Sequence, residues 1–592
     1  MHLIRAVITA LLSVLFLNGC QLAVSAAPAD EQIAALHALF DDAWERRLRE
    51  NPTFASNLGD LRWNDQWGDA SLEAIEARHR ATEGELERLR GISRDTLPPA
   101  ERLNYDLFEQ RLANDVAAHR YRDFLMPISQ RGGVQTLHNM TETLRLDTTR
   151  HYEDWLARLA SVDTLIDQNI ALMRAGIEEG RVRPRVIMER VPSQLAAHLV
   201  NTPDESPFFK PFERYPDGVP APDRARLTAA ARETIADTVI PAYRRLAQFF
   251  NEEYLPATRT TVGAWDLPEG REYYAHRARV FTTTSLTPDE IHEIGVAEVE
   301  RIRAQMMEVI EAVGFERGFD AFLDHLRTDP QFYFDDGDEL LTAYRAMSKR
   351  IDPLMVQLFG RLPRMPYGVR PIPMDIAPDT TTAYYSRPAA DGSRAGNYYV
   401  NIYRPEVRPK YEMMALSLHE AVPGHHLQIA LAQELGDLPN FRRYGGFTAF
   451  SEGWGLYAEY LGEELGLYDD PYDKFGQLTY EMWRAVRLVV DTGMHHKGWT
   501  RERAIEFFMA NAAKSEADII NEIDRYIANP GQALAYKIGE LKLKELRRRA
   551  EQRLGDRFDV RAFHDAVLEN GAVPLDVLER HIDAWIEERA SA

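Results

Sequence analysis

The stretch YEMMALSLHEAVPGHHLQIALAQEL, residues 411–435, constrains the fold and chemistry of this chain more than any other. An apolar run leads into His419 and Glu420, and a Pro-Gly pair separates these residues from His425 and His426. Neutral imidazoles are common zinc ligands, and a carboxylate beside the metal can take the proton of an attacking water. The stretch therefore predicts a helical zinc site in which His419 is a ligand and Glu420 is the general base.

The spacing of these histidines departs from the H-E-x-x-H pattern, in which ligands four residues apart share one helix face. Pro423 occupies that fourth position, and His425 and His426 lie six and seven residues after His419. Because proline removes a backbone donor and glycine tolerates unusual dihedrals, a bulge at residues 422–424 would bring one histidine back beside His419. We favour His425 as the second ligand, with His426 as the alternative. A helix that ends at Pro-Gly, with surface histidines beyond it, is the structural interpretation.

A third ligand is expected on a following helix. The segment FTAFSEGWGLYAEYLGEELGLY, residues 447–468, is helical in pattern and carries Glu452 and Glu459. Glu452 lies 27 residues after His425, which is enough for a helix end, a loop and an antiparallel return. We predict Glu452 as the third ligand and Glu459 as a residue that orients a ligand histidine. Both could instead be ordinary acidic residues of a helix surface.

Four motifs together give the chain a family resemblance. They are HEAVPGHHLQ at 419–428, SEGWGLYAE at 451–459, DTGMHHKGWT at 491–500 and PGQALAYKIGELKL at 530–543. With them the chain resembles the bacterial family known as domain of unknown function 885, which is similar to helical zinc peptidases of the neurolysin and angiotensin-converting-enzyme type. The resemblance covers most of the chain after residue 30, and it implies a mostly helical peptidase with a deep internal groove.

A peptidase of this kind also needs a hydrogen-bond donor that faces the oxyanion of the tetrahedral intermediate. By resemblance, Tyr536 is the first candidate. Arg484, Arg487 and His495 are further candidates for contacting the oxyanion or the substrate. A single tyrosine on a helix is often structural, and the same interpretation applies to the other three residues.

The rest of the chain is predicted to be mainly α-helical. Residues 31–180 show apolar side chains at three- and four-residue spacing, as in successive amphipathic helices. We expect residues 1–30 to be an export signal with a short tether. Residues 31–592 would form one helical unit, with an N-terminal half at 31–270 and a catalytic half at 271–592 that ends in a helical cap.

A small β-sheet is predicted at residues 366–405, just before the zinc helix. Two aromatic segments there flank Asp391-Gly392, a turn signal. An exposed edge strand could pair with an extended substrate, so Asn397, Tyr398, Tyr399 and Asn401 are candidate substrate-binding residues of the groove wall. A small structural sheet without substrate contact is the alternative.

The composition fits a large enzyme. The chain has 592 residues, 45% of them hydrophobic, which is enough for an extensive core. The net charge of −22 argues against binding to nucleic-acid phosphates, which depends on clusters of Lys and Arg. The acidity itself fits solvated helix faces.

The N-terminus predicts export. MHLIRAVITALLSVLFLNGCQ begins with a basic residue, continues with an apolar stretch too short for a comfortable membrane span, and reaches Cys20, the one cysteine of the chain. This arrangement resembles a lipoprotein signal with Cys20 as the lipidation site, and Gln21 after it implies the outer membrane, facing the periplasm. An ordinary secretory signal cut after Ala26 is the alternative. In both cases no thiol remains for catalysis.

These observations predict an exported zinc metallohydrolase, a peptidase with one Zn²⁺ ion and a peptide substrate, attached to a membrane only through a lipid anchor. Two alternatives stay open. The same site could hydrolyse a non-peptide amide or ester. The chain could also be a periplasmic binding or scaffold lipoprotein with a non-catalytic metal site.

Overall fold

A computed structural model describes residues 29–374, 377, 381–388, 392, 394–436 and 438–591. The predicted export signal, Cys20 and Asp391 lie outside the described residues. Among the described helices, none is long and apolar enough to cross a membrane.

The predicted mainly helical fold with one small sheet is confirmed. Helix ends follow local sequence signals: the helix Pro288–Ala312 begins with a capping box, in which Thr287 and Glu290 each satisfy the other's backbone amide. The α-helices before residue 270 are Ala29–Glu50, Pro52–Leu58, Leu72–Arg90, Pro99–His119, Thr149–Ala160, Val162–Glu178, Arg185–Met188, Val191–Ala196, Ala221–Thr234, Ile240–Phe249 and Leu255–Ala257. From residue 270 onward they are Gly270–Thr282, Pro288–Ala312, Phe319–Thr328, Gly337–Ile351, Met355–Leu358, Met413–Glu420, His425–Glu434, Asn440–Arg443, Thr448–Glu464, Pro471–His495, Arg501–Met509, Glu516–Ala528, Ala535–Leu554, Val560–Leu568 and Leu575–Ser591.

Five of these helices surround the site and are named here by one residue each. They are the His419 helix (Met413–Glu420), the His425 helix (His425–Glu434), the Glu452 helix (Thr448–Glu464), the Arg487 helix (Pro471–His495) and the Tyr536 helix (Ala535–Leu554).

The Glu452 helix and the Tyr536 helix meet backbone to backbone. A Cβ added at Gly453 would lie 2.5 Å from the Cα of Gly539. Only glycine on both helices permits this approach, which fixes the position of the Glu452 helix in the core.

The sheet has three strands, β1 (Tyr367–Pro371), β2 (Ala383–Ser386) and β3 (Gly396–Val400), in the order β1-β3-β2. Strand β3 pairs with β2 in antiparallel fashion, which confirms the predicted hairpin, and with β1 in parallel fashion. The prediction of an edge strand at residues 397–401 was wrong. Because β3 is hydrogen-bonded on both sides, its backbone has no free edge for a substrate.

The hydrophobic cores combine the two predicted halves of the chain. One core joins residues between Ile128 and Tyr254 to residues between Val299 and Ala533. Another joins the first helices to segments after residue 350, including Trp454 of the Glu452 helix. The N-terminal half therefore packs directly against the elements that carry the site, while the division into halves remains a prediction.

Candidate metal centre

The helix that carries His419 breaks where the sequence predicts a deformation. The His419 helix ends at Glu420, residues 421–424 leave the helical path, and a new helix begins at His425. Two backbone hydrogen bonds stabilise the break: the Gly424 amide donates to the Leu418 carbonyl at 2.9 Å, and the His426 amide donates to the Ala421 carbonyl at 3.0 Å. It therefore has a defined geometry.

Gly424 is required at this break because the backbone folds back on itself there. A Cβ at this position would lie 1.8 Å from the carbonyl oxygen of His419. Trp454 fixes the break from the other side, since its indole N–H donates to the Pro423 carbonyl at 2.8 Å in a fully buried environment. Sequence reasoning missed this role of Trp454, although the residue lies in a motif that it singled out.

The break brings together the three residues that were predicted as metal ligands. The Nε2 atoms of His419 and His425 each lie 3.6 Å from Glu452 Oε2, and the three ligand atoms are all within 4.8 Å of one another. Tetrahedral ligands about 2.0–2.2 Å from a zinc ion would be separated by roughly 3.3–3.6 Å. The donor set and its spacing fit a zinc ion, and the role of these residues as ligands remains a prediction.

The alternative ligand His426 points away from this cluster. Its Nε2–H donates to the Met365 carbonyl at 3.0 Å, and its Nδ1 accepts from the Tyr385 hydroxyl at 2.8 Å. Burial lowers the pKa of His426 to about 4, so the ring is neutral with both nitrogens occupied. The structure thus places His426 outside the group formed by His419, His425 and Glu452.

Glu459 holds the His419 ring in the orientation that the cluster needs. Its Oε1 accepts from His419 Nδ1 at 2.7 Å, which leaves Nε2 free to face Glu452. The contact predicted for Glu459 is therefore present. Glu459 is fully buried, and Arg484 Nη2 lies 3.7 Å from the same oxygen.

Gly455 makes room for the His419 ring between the two carboxylates. It lies three residues after Glu452 and four before Glu459, so all three share one helix face. A Cβ at Gly455 would lie 2.7 Å from Cε1 of the imidazole. The spacing E-x-x-G-x-x-x-E was visible in the sequence and could have identified this glycine.

The electrostatics of the cluster favour a cation. Burial alone would lower the pKa of His419, but hydrogen bonds to Glu452 and Glu459 outweigh it and raise the pKa to about 9. Burial would raise the pKa of Glu452, whereas contacts with His419 and His425 hold it well below its usual range. A bound metal would displace the proton of His419. With both imidazoles then neutral, the carboxylates of Glu420, Glu452 and Glu459 against the guanidinium of Arg484 leave two net negative charges among the described residues at the site, which a divalent ion would balance.

Glu420 is half-buried next to the cluster. Within the described residues, no hydrogen bond or salt bridge engages its carboxylate. Tyr398 is close to it: burial raises the pKa of the Tyr398 hydroxyl well above its usual range, and the charge of Glu420 adds to this. The Glu420 carboxylate is thus available to take a proton.

The sheet residues predicted to bind substrate have mainly structural contacts. Tyr398 is fully buried, and Asn397 donates to the Ala395 carbonyl at 3.1 Å. Asn401 is 1% exposed and its side chain accepts from the Tyr403 amide at 3.0 Å. Tyr399 is partly exposed. Asn397, Tyr398 and Asn401 are thus buried in the sheet, Tyr399 is the more accessible of the four, and substrate binding by these residues remains a prediction.

His495 is likewise structural. It is fully buried, its Nδ1 accepts from the Ala264 amide at 3.0 Å, and its Nε2–H donates to the Tyr526 carbonyl at 3.0 Å. Burial lowers its pKa to about 3. Both nitrogens of His495 therefore bind backbone, and a contact with the substrate or the oxyanion remains a prediction. Arg484 is also buried, next to Glu459, and its predicted contact with substrate stays untested.

Tyr536 lies in a neighbouring cluster. Its ring is half-buried under the guanidinium of Arg487, whose Cζ is 4.3 Å from the ring centroid. Its hydroxyl is 3.5 Å from the side-chain amide of Gln532, a long contact that leaves the O–H largely unengaged. Among the described residues, no contact joins this hydroxyl to the three predicted ligands.

Comparisons with known proteins give a family and two structural relatives. The family model described as bacterial protein of unknown function DUF885 matches residues 52–582. A solved structure from Colwellia psychrerythraea, provisionally described as a lipoprotein, is 29% identical with a TM-score of 0.88 and covers 94% of this chain and 99% of its own. A second, from Shewanella oneidensis and described as a provisional lipoprotein of unknown function, is 17% identical with a TM-score of 0.72, covers 93% of this chain and 99% of its own, and shows the fold alone. No curated protein sequence matches the chain.

Proposed function

The chain belongs to the DUF885 family of bacterial proteins, and we propose that it is an exported zinc-dependent hydrolase that cleaves peptides. The observation that carries the proposal is the convergence of His419, His425 and Glu452 beside an unpaired carboxylate, Glu420. A set of three protein ligands leaves one coordination position for water or substrate, which is typical of catalytic zinc.

Two features favour a metal here over a structural histidine cluster. Glu459 fixes the tautomer and orientation of His419, as carboxylates commonly do behind a ligand histidine. The imidazole and carboxylate donors also match the preference of zinc for nitrogen and oxygen ligands. When bound, zinc supplies a Lewis acid that polarises a substrate carbonyl and makes water more acidic.

The residues of the chain then divide the remaining work. Glu420 takes the proton of the attacking water and passes it to the departing amine. His419, held by Glu459, keeps its Nε2 directed at the reacting centre. We propose Tyr536 as the donor to the oxyanion, since its hydroxyl is largely unengaged and Arg487 over its ring makes the O–H a stronger donor.

The peptide substrate and the export route rest on two other observations. The four motifs resemble helical zinc peptidases, which favours a peptide over another amide or an ester. The 29% identical relative is provisionally described as a lipoprotein, and Cys20 follows a short apolar stretch in this chain. Together these favour a lipid-anchored protein that faces the periplasm.

The test is Glu420→Gln, assayed for bound zinc by elemental analysis and for hydrolysis of a mixed peptide library. We expect zinc to stay and hydrolysis to fall by about 10²–10⁴, the usual contribution of a general base. Glu463→Gln is the control, since that side chain is 40% exposed on the Glu452 helix. Hydrolysis at the wild-type rate in Glu420→Gln would remove Glu420 from the mechanism. A library of acyl amides and esters is assayed in parallel. Hydrolysis of these compounds but not of peptides would identify the protein as a hydrolase of non-peptide amides or esters.

A further inference from the structure

Three arginines from distant parts of the chain meet around one glutamate beside Tyr536. Arg487 Nη2 lies 3.1 Å from Glu522 Oε2, and Arg525 Nη2 donates to the same oxygen at 2.8 Å. Arg131 enters from a loop in the N-terminal half, where its charge acts on both Arg525 and Tyr536. We call Arg131, Arg487 and Arg525 the arginine cluster.

The loop that carries Arg131 is anchored at this place. The side-chain amide of Gln130 donates to the Asp524 carbonyl at 3.0 Å, next to Arg525. The backbone amide of Arg131 itself donates to the Ser129 hydroxyl at 3.2 Å. The position of Arg131 therefore follows from the packing of the loop on the helix Glu516–Ala528.

The arginine cluster has more positive than negative charge. Three guanidinium groups face one carboxylate, that of Glu522, in a chain whose overall net charge is −22. Two nearby acidic residues have other partners: Asp524 pairs with Arg190 and Arg501, and Asp491 accepts hydrogen bonds from Tyr274 and Gly531. Among the described residues, the guanidinium groups of the cluster therefore outnumber the carboxylates that pair with them.

Two groups in the arginine cluster also lack hydrogen-bond partners. Arg487 is 4% exposed, and its Nη1 makes no hydrogen bond within the described part of the chain. The exposed side chain of Arg131 makes no hydrogen bond or ion pair there either. An unpaired buried guanidinium nitrogen is unfavourable, so Arg487 retains a donor that an additional acceptor, such as an anion, could satisfy.

The arginine cluster adjoins the candidate metal centre. Arg484 and Arg487 are one turn apart on the same helix, and the Cζ atom of each lies 4.8 Å from the ring centroid of Trp483. Arg484 in turn contacts Glu459, which holds His419. The arginine cluster and the candidate metal centre are therefore neighbours, joined through one turn of the Arg487 helix.

We propose that the arginine cluster binds a carboxylate of the peptide substrate, with Arg131 as the contacting residue and Arg487 as the buried charge behind it. This rests on the proposed function and adds a substrate class to it. Guanidinium groups suit carboxylates because they present paired N–H donors in the geometry of the two oxygens. The carboxylate belongs either to the C-terminus of the peptide or to an acidic side chain near the cleaved bond.

The experiment measures binding separately from hydrolysis. Calorimetry on full-length Glu420→Gln protein compares one peptide as free acid and as C-terminal amide, and a matched pair with Glu or Gln beside the central bond. We expect one carboxylate form to bind about 10-fold tighter than its neutral partner, the usual scale for a charge-assisted pair. The pair that shows the difference identifies the source of the carboxylate.

Arg131→Gln in the same background should remove this preference without changing the binding of the neutral peptide, and Arg131→Lys should restore part of it. Arg553→Gln, an exposed substitution on the far end of the Tyr536 helix, should change nothing. Equal binding of charged and neutral forms to the parent protein, or no binding of either, would overturn the proposal. If the parent protein binds the carboxylate form selectively but the wild type hydrolyses no peptide, the proposed hydrolase is wrong and the anion site stands. If the wild type hydrolyses peptides but binding shows no selectivity, the anion site is wrong and the proposed hydrolase stands.

Discussion

Two buried charged clusters lie close together in this protein, and only one of them balances its own charges. In the first, the ammonium of Lys537 is fully buried and lies 2.6 Å from both Glu481 and Glu540. This salt-bridge cluster consists of Glu298, Glu481, Glu540, Arg301, Lys537 and Lys544. Its three carboxylates meet three cations. The candidate metal centre, in contrast, sets three carboxylates against the single guanidinium of Arg484.

The difference gives the two clusters different expected roles, one in the fold and one in the proposed binding of a metal. A buried ion pair that satisfies itself contributes to the fold, and removing one partner leaves an uncompensated charge. A buried cluster with excess negative charge and imidazoles oriented toward a common point is incomplete without a cation. Substitutions in the salt-bridge cluster should therefore change stability, and substitutions in the metal centre should change metal binding.

The largest effect is expected from Lys537→Met. Removing the central ammonium leaves Glu481 and Glu540 buried without their shared partner, which should lower the free energy of unfolding by about 3–5 kcal/mol. Chemical denaturation of the metal-free protein measures this, and zinc affinity should not change. A stable variant that fails to bind zinc would show that the two clusters are not separate.

Glu452→Gln makes the converse change. We expect zinc affinity to fall by about two to three orders of magnitude, taking roughly a quarter of the ~10–16 kcal/mol of a four-ligand zinc site per ligand. Titration against a competing chelator measures it, with Glu463→Gln as control. The metal-free protein should lose less stability than in Lys537→Met, because the Gln side chain can still hydrogen-bond to the imidazoles of His419 and His425 in place of the carboxylate. A destabilised variant with intact zinc binding would assign Glu452 to the fold.

A smaller effect is expected from Glu459→Gln. The amide oxygen can still accept from His419 Nδ1, but the negative charge that makes the imidazole a better ligand is lost. Zinc affinity should fall about 10–100-fold, as for other partners behind a ligand histidine. The same chelator titration measures it. Unchanged affinity would mean that Glu459 serves only to fill the core beside Arg484.

The smallest effect comes from a pair of glycines on the Glu452 helix. Gly455→Ala places a methyl group against the His419 ring, so we expect zinc affinity to fall about 10-fold through misplacement of one ligand. In Gly462→Ala the methyl group meets the side chains of Leu418 and Tyr468 instead, which should lower the unfolding midpoint but spare zinc. Equal effects of the two variants on zinc affinity would contradict the claim that Gly455 makes room for the His419 ring.

The sequence was sufficient for the parts of the site that depend on local chemistry. Pro423-Gly424 predicted the deformation that brings His425 to His419, and helical spacing placed Glu452 and Glu459 on one face. Both arguments rest on residues within about ten positions of one another. They needed no knowledge of how the remaining helices pack.

Long-range packing set the features that sequence reasoning missed. Strand β3 lies in the centre of the sheet because β1 pairs with it in parallel fashion. Strand β1 ends in a proline, and no local sequence pattern predicts its pairing with β3. The Nδ1 atom of His495 accepts a hydrogen bond from the Ala264 amide, which is 231 positions away in the sequence, so no local pattern predicts this contact. Arg131 reaches the arginine cluster in the same way, from a loop without any motif.

The most direct test of the incomplete metal centre compares two adjacent histidines. Elemental analysis and peptide hydrolysis should be measured on the wild type, His425→Ala and His426→Ala. We predict one zinc ion per wild-type chain, loss of zinc and hydrolysis in His425→Ala, and retained zinc in His426→Ala, whose ring is hydrogen-bonded to Tyr385 and Met365. Zinc retained in His425→Ala and lost in His426→Ala, or a wild-type protein that binds no metal, would contradict the account.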